Sequence, residues 1–208
     1  MPDLEIIGVA FSNYVRSIRM LCEEKGVAYT LTPSRPHTPE VAAIHPAGQI
    51  PAMRHGDVTL FETKALATYI DKALPGPKFI PEDAVGAAKV EQWVSYGNAK
   101  VDKWIMREFV VPQAFADKEK GPDMARVNAA IPEIEKCCKA LDNAVAKTGY
   151  LAGPALTYAD MHVLPMFVTM QAFPAGKEIA PKYKNLMAWQ VKLTARPSYE
   201  KTAPPPRK

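Results

Sequence analysis

The sequence predicts two domains: an α/β domain over residues 1–75, a linker at 76–83, and an all-α helical bundle over 84–208. Three observations predict this. Short β-branched and apolar runs alternate with helical patterns up to residue 74. A Pro/Gly-rich stretch follows at 75–83. Beyond it the apolar residues recur at three and four, the period of helices with one buried face.

The elements of the first part follow in order. Leu4 to Ala10 reads as a buried strand. After Ser12, the residues Ile18, Leu21 and Cys22 share one helical face, and Gly26 is a C-terminal stop behind Glu23, Glu24 and Lys25. Residues 27–32 are β-branched and aromatic enough for a second strand. A loop with Pro33, Pro36 and Pro39 leads to a short helix before Pro46. The run from Pro51, the turn at His55, Gly56 and Asp57, and the run Val58–Phe61 read as a hairpin. Residues 62–74 form a helix, closed by Pro75, Gly76 and Pro77. The order is therefore β-α-β-α-β-β-α.

In the second part, Val90, Trp93, Val94, Gly97, Val101, Trp104 and Ile105 form one helical stripe. Val127, Ile131, Ile134, Cys138, Leu141 and Val145 form another, which Pro132 is expected to bend or break. Thr157–Phe173 is a third helix and residues 183–194 a fourth. Thr157-x-x-Asp160, preceded by Leu156, is a capping box with Asp in place of Glu, a structural feature. The tail from Ala203 to Lys208 is expected to fray.

Composition excludes several function classes. The chain has 208 residues, 48% apolar and 23% charged, ordinary globular usage with room for a core. Its net charge of +4 comes without a Lys/Arg block, so nucleic acid is not the expected partner, and an anionic small molecule is weakly favoured. Cys22, Cys137 and Cys138 make an odd set without zinc spacing, which reads as reduced thiols, a cytoplasmic location and no metal. The first residues lack a signal-peptide pattern, and no apolar run is long enough to span a membrane. No internal repeat is visible.

Five segments carry a resemblance. They are Ser12–Val27, Gly48-Gln-Ile-Pro-Ala52, Leu60–Ile70, Gly149-Tyr-Leu-Ala-Gly153 and Leu156-Thr-Tyr-Ala-Asp160. In this order the chain resembles the serine-type glutathione transferases, above all the plant-type classes and their bacterial relatives. The resemblance covers about residues 4–195. It implies a thioredoxin-like N-terminal domain holding glutathione as co-substrate, a helical domain supplying an electrophile pocket, and a homodimer. In relatives the interface uses the helix at 62–74 and the first helix of the second domain.

Physical chemistry supports such a site. A thiol is a poor nucleophile until ionised, and helix N-termini with nearby donors lower thiol pKa values from about 8.5. Ser12 lies just before the first helix, where its hydroxyl and the free N–H groups can face a thiolate. Read by position alone it is equally a plain N-cap. The resemblance makes it catalytic, with Asn13 and Tyr14 as rival donors. Arg16 and Arg19 read as surface or interdomain charges.

Further roles are implied by the resemblance. Ile50–Pro51 matches a cis-proline step that turns the Ile50 backbone toward glutathione's cysteinyl amide; otherwise Pro51 starts a strand. Glu62 and Thr63 match the acidic-plus-hydroxyl pair that grips the γ-glutamyl end, with Thr where most relatives have Ser. Otherwise Glu62 is a favourable first-turn charge. His37 and Gln49 match contacts to the glycyl carboxylate, although several relatives carry Lys at the first position. His45 stands where relatives have Asn, with no assigned role, and His162 reads as packing. Phe11, Trp93, Tyr96, Lys100 and Trp104 are the candidates for the electrophile site; an aromatic stripe is otherwise core. Cys22 reads as core, and the Cys137–Cys138 pair as half buried and half exposed.

The expected activity is conjugation by thiolate attack. Hydroperoxide reduction by the same thiolate is a close variant, and a non-catalytic ligand-binding or scaffold role on the same fold is the rival. A thiol-transferase would need a cysteine where Ser12 stands.

Overall fold

The computed structural model describes residues 3–205. β1 (Leu4–Ile7) buries Leu4, Ile6 and Ile7, and α1 (Asn13–Lys25) packs Val15, Ile18, Leu21 and Cys22 into the same core. The helix ends in a Schellman motif. Gly26 takes φ 68°, its N–H donates to Glu23 O, and the Val27 N–H donates to Cys22 O. β2 (Thr30–Thr32), α2 (Pro39–Ala42), β3 (Ala52–His55), β4 (Val58–Phe61) and α3 (Thr63–Ala73) complete the expected order. The strands lie in the order β2-β1-β3-β4, with β1 and β2 parallel and the other pairs antiparallel.

The first unit is larger than the sequence suggests. It runs to Pro81 and takes in the chain again from Thr194. Asp71 on α3 explains the first extension. Its carboxylate accepts the N–H groups of Phe79 and Ile80 and lies 3.7 Å from the buried Lys25 Nζ. Lys25 in turn donates to Pro77 O. Much of the expected linker is therefore pinned to the first unit.

Arg16 and Arg19 explain the second extension: they are not surface charges, and they bond to the segment that the sequence reading gave to the second domain. Both are buried. They hold the short helix α10 (Pro197–Lys201): Arg16 donates to Tyr199 O and stacks over its ring, and Arg19 donates to the carbonyls of Lys201 and Thr202. Arg196 and Ser198 donate to Glu24. Helix C-terminal carbonyls are natural guanidinium acceptors. The expected bundle over 84–208 thus loses its last residues to the first unit. Ala203–Pro205 are exposed and without regular structure, and the rest of the expected frayed tail, 206–208, lies outside the described residues.

The second unit, Glu82–Leu193, is helical. α4 (Ala84–Tyr96) continues into a π-helical stretch, Gly97–Val110, whose wider turn shows in the Val111 N–H bonding to Met106 O. The core residues Gly97, Val101, Ile105 and Phe109 repeat every four. α5 (Val111–Ala114) follows, then α6 (Met124–Thr148). α6 passes through Pro132 without a break, so of the expected bend or break the break is ruled out. Pro132 is exposed, and so is Asn128, whose carbonyl loses its helical donor to the proline; water can take that place. Cys137 and Cys138 are both buried, which corrects the half-exposed reading; two adjacent helical positions both meet neighbours here.

α7 (Tyr158–Met170) is buried nearly all round. Asp160 reaches back to the Thr157 N–H, as its capping box requires, and also accepts from Leu151 N–H and Trp189 Nε1. α8 (Pro174–Ile179), a 3₁₀ turn at Ala180–Lys182, and α9 (Lys184–Thr194) complete the unit. The third helix therefore ends before Phe173, where Pro174 opens a new one.

Candidate active site

Strand register gathers the candidate residues. Ala52, which opens β3, pairs with Ile7 on one side and Phe61 on the other, and Ile7 pairs with Thr32. The chain leaving β1 toward Ser12, leaving β2 toward His37, entering β3 at Pro51, and leaving β4 at Glu62 therefore does so at one end of the sheet. Every sequence-predicted glutathione contact lies on these four connections.

Ser12 is the N-cap of α1. Its backbone is extended (φ −72°, ψ 126°), and its N–H donates to Val9 O at 3.0 Å. Its Oγ accepts from Val15 N–H at 3.3 Å. Capping uses an oxygen lone pair, so the hydroxyl proton is still available for an anion. Asn13, Tyr14 and Val15 put no acid in the first turn, so nothing there neutralises the positive helix end. Asn13 and Tyr14 are half-buried beside it, and Phe11 is 51% exposed just ahead. Below the turn, Gly8 brings Val15 and Ile50 together: a Cβ there would meet Val15 Cγ2 at 2.5 Å and Ile50 Cβ at 3.3 Å.

Ile50–Pro51 is cis. Pro51 is buried, and Ile50 packs on the cluster of Ile7, Val41 and Ala52. Gln49 is exposed. Gly48, at φ 62°, accepts the His37 N–H at 2.7 Å, and a Cβ on it would meet His37 Nδ1 at 2.6 Å. That close approach holds the exposed His37 loop against the cis-proline loop.

Among the described residues two non-glycines adopt a left-handed φ, His37 at 66° and Glu62 at 67°. Both are sequence-predicted site residues. Such conformations cost about 1–3 kcal/mol and persist where the surroundings or a function over-determine them. Glu62 is the N-cap of α3 but makes no side-chain cap bond, so its mostly exposed carboxylate is not spent on its own helix. Thr63 begins the helix and is buried. The side chain that sequence reasoning left without a role, His45, is buried with Nε2 3.8 Å from Glu62 Oε1.

In the second unit the helical stripe divides. Val90, Val94, Gly97, Val101 and Ile105 are core. Trp93, Tyr96 and Trp104 are half-buried, and Lys100 is exposed. Trp93 meets Tyr96 edge-on at 5.6 Å. Burial, with Cys137 beside it, pushes the Tyr96 phenol well above its usual value. His162 is fully buried, with Nε2 2.8 Å from Asn98 Oδ1, and burial lowers its pKa to about 4. It is a neutral packing residue, as expected. Burial pushes the Cys22 and Cys138 thiols up to about 12. Among the described residues no cluster could hold a metal ion.

A mixed four-stranded sheet with a cis-proline at its loop end, joined to a helical unit, defines a thioredoxin-fold protein with an appended α domain. Comparison with known proteins narrows this. The chain matches "Glutathione S-transferase, N-terminal domain" over residues 6–78 and "Glutathione S-transferase, C-terminal domain" over 97–197. It is 31% identical to Glutathione S-transferase 4 of Zea mays, with 97% of this chain and 92% of that protein covered. It is 28% identical to Glutathione S-transferase 3 of the same plant, covering 99% and 98%. Among solved structures, glutathione transferase F7 from Populus trichocarpa superposes with a TM-score of 0.87 at 25% identity, covering 96% of this chain and 97% of that one. The chain belongs to the glutathione transferase family.

Proposed function

We propose that this chain catalyses attack of the glutathione thiolate on electrophilic, apolar small molecules. The observation that carries the reading is the convergence of Ser12, His37, Gln49, Ile50, Pro51, Glu62 and Thr63 on one end of the sheet, beside the unneutralised N-terminus of α1. The thiol loses its proton to solvent. Ser12 then donates its hydroxyl proton in a hydrogen bond to the sulfur, while the helix end favours the negative charge. Glu62 takes the α-ammonium of the γ-glutamyl end and Thr63 its carboxylate. The Ile50 backbone takes the cysteinyl amide, and His37 and Gln49 the glycyl carboxylate. The sulfur lone pair forms the S–C bond and the leaving group departs with its electron pair. Phe11, Trp93, Tyr96, Lys100 and Trp104 are the proposed contacts to the electrophile, as the family resemblance implies.

The assembly is proposed to be a homodimer in the cytoplasm. The family resemblance supports the dimer, and α3, the helix it implies for the interface, carries a shallow hollow lined by Ala65, Thr68, Tyr69 and Ala73 together with Glu62, Lys64 and Lys72. Among the described residues no helix is long and apolar enough to cross a membrane. Steady-state turnover of glutathione with a chlorinated nitroarene, isothiocyanates and an organic hydroperoxide tests the activity. Conjugation of at least one electrophile is expected. No turnover with any of them, despite glutathione binding, would favour the non-catalytic role.

A further inference from the structure

We propose that His45 is a positioning residue for Glu62, orienting the carboxylate that receives glutathione's ammonium group; this rests on the role given to Glu62 above. His45 follows α2 and is 5% exposed. Its backbone is bonded on both sides: its N–H donates to Val41 O at 2.8 Å, and its carbonyl accepts the Gly48 N–H at 2.8 Å. The ring Nδ1 accepts the Ala47 N–H at 3.1 Å. An imidazole nitrogen that accepts carries no proton, so the neutral ring must hold its proton on Nε2. That N–H side lies 3.8 Å from Glu62 Oε1.

The ring is further fixed by Phe61, whose centroid is 4.9 Å away at a 46° tilt. His45 thus joins two parts of the site. Through Gly48 it supports the loop that backs His37, and through Nε2 it faces the first residue of the α3 turn. At 3.8 Å the contact is longer than a hydrogen bond. Its effect is orientational: a fixed N–H dipole favours the carboxylate rotamer that keeps Oε1 near the ring and leaves Oε2 for the ligand. Glu62 needs such a guide, because its side chain makes no bond to its own helix.

The two ring nitrogens have separable jobs. An Asn amide reproduces the Nδ1 acceptor and cannot reach Glu62. A Gln amide extends as far as Nε2. Steady-state kinetics at pH 7 on His45→Asn, His45→Gln, Glu62→Ala and the double variant His45→Asn/Glu62→Ala provide the test, with thermal midpoints as the folding control. His45→Asn is expected to raise the glutathione KM by about two- to fivefold, the range of an exposed charge contact. Its kcat at saturating glutathione, its KM for the electrophile and its thermal midpoint should stay near wild type. His45→Gln should recover most of the loss, and His45→Asn should add nothing once Glu62 is alanine. If Glu62→Ala raises the KM while His45→Asn does not, or if His45→Asn has the same effect with and without Glu62, the positioning role is overturned. If Glu62→Ala itself leaves the glutathione KM unchanged, the role of Glu62 fails, and the positioning role with it.

Discussion

At the scale of single residues, burial and distance in sequence decide what each side chain does. Asp71 illustrates this. One carboxylate accepts two backbone N–H groups and faces the Lys25 ammonium, all out of water. Asp71→Ala removes the acceptor and leaves a buried cation without its anion, a loss of about 3–5 kcal/mol for a broken buried pair. A urea denaturation midpoint well below wild type is the expected result; an unchanged midpoint would contradict the bridge. Cys22 was legible because its helical period alone puts it inside. Arg16 and Arg19 were not, since their acceptors are carbonyls 182 or 183 residues away. Motif resemblance singled out Ser12, Pro51, Glu62 and Thr63, and strand register sets their connections at one end of the sheet, where their roles are proposed. The left-handed backbone at Glu62 carries no signal in composition or period, and His45 gained meaning only from its two ring contacts.

At the scale of elements, every helix and strand of the first part was legible to within a few residues, because turns and periods change where Pro and Gly punctuate them. The second part read less cleanly. A four-residue repeat from Gly97 to Phe109 looks like an ordinary amphipathic helix until its winding is seen. Pro132 read as a bend or a break, since sequence alone does not show that the proline and its orphaned carbonyl sit on the wet face. α7 carries a titratable group into this core, His162, whose ring faces Asn98 on the π-helical stretch. Its folded pKa is lowered to about 4 from 6.5. The unfolded ring binds a proton as pH falls below about 6.5 while the folded ring stays neutral. The contribution is therefore complete above pH 6.5 and is lost between 6.5 and 4, by about 3 kcal/mol in all. Denaturation midpoints measured from pH 7 to 4.5 should fall more steeply in wild type than in His162→Gln. Parallel slopes would show that the ring does not titrate as its burial requires.

At the scale of the whole molecule, the division into an α/β part and a helical part was readable from the Pro/Gly-rich stretch. The return of α10 to the first unit was not, because nothing local in Pro197–Lys201 announces its partners on α1. The proposed homodimer sets the expected mass. Sedimentation at micromolar concentration should give twice the 22.9 kDa chain mass, and a monomer mass would contradict the dimer. The proposed activity depends on where the thiolate is stabilised, and the proposed place is Ser12, on the open N-terminus of α1. Difference absorbance titration of the thiolate of bound glutathione measures this directly, in wild type and in Ser12→Ala, Asn13→Ala and Tyr14→Phe. Wild type should titrate at least about one unit below the ordinary thiol value near 8.5. Ser12→Ala should move the midpoint back up and cut kcat/KM by about ten- to a hundredfold near neutral pH, at about 1.36 kcal/mol per unit, with glutathione affinity nearly intact. A Ser12→Ala protein that keeps the wild-type midpoint, while Asn13→Ala or Tyr14→Phe shifts it, would contradict the account.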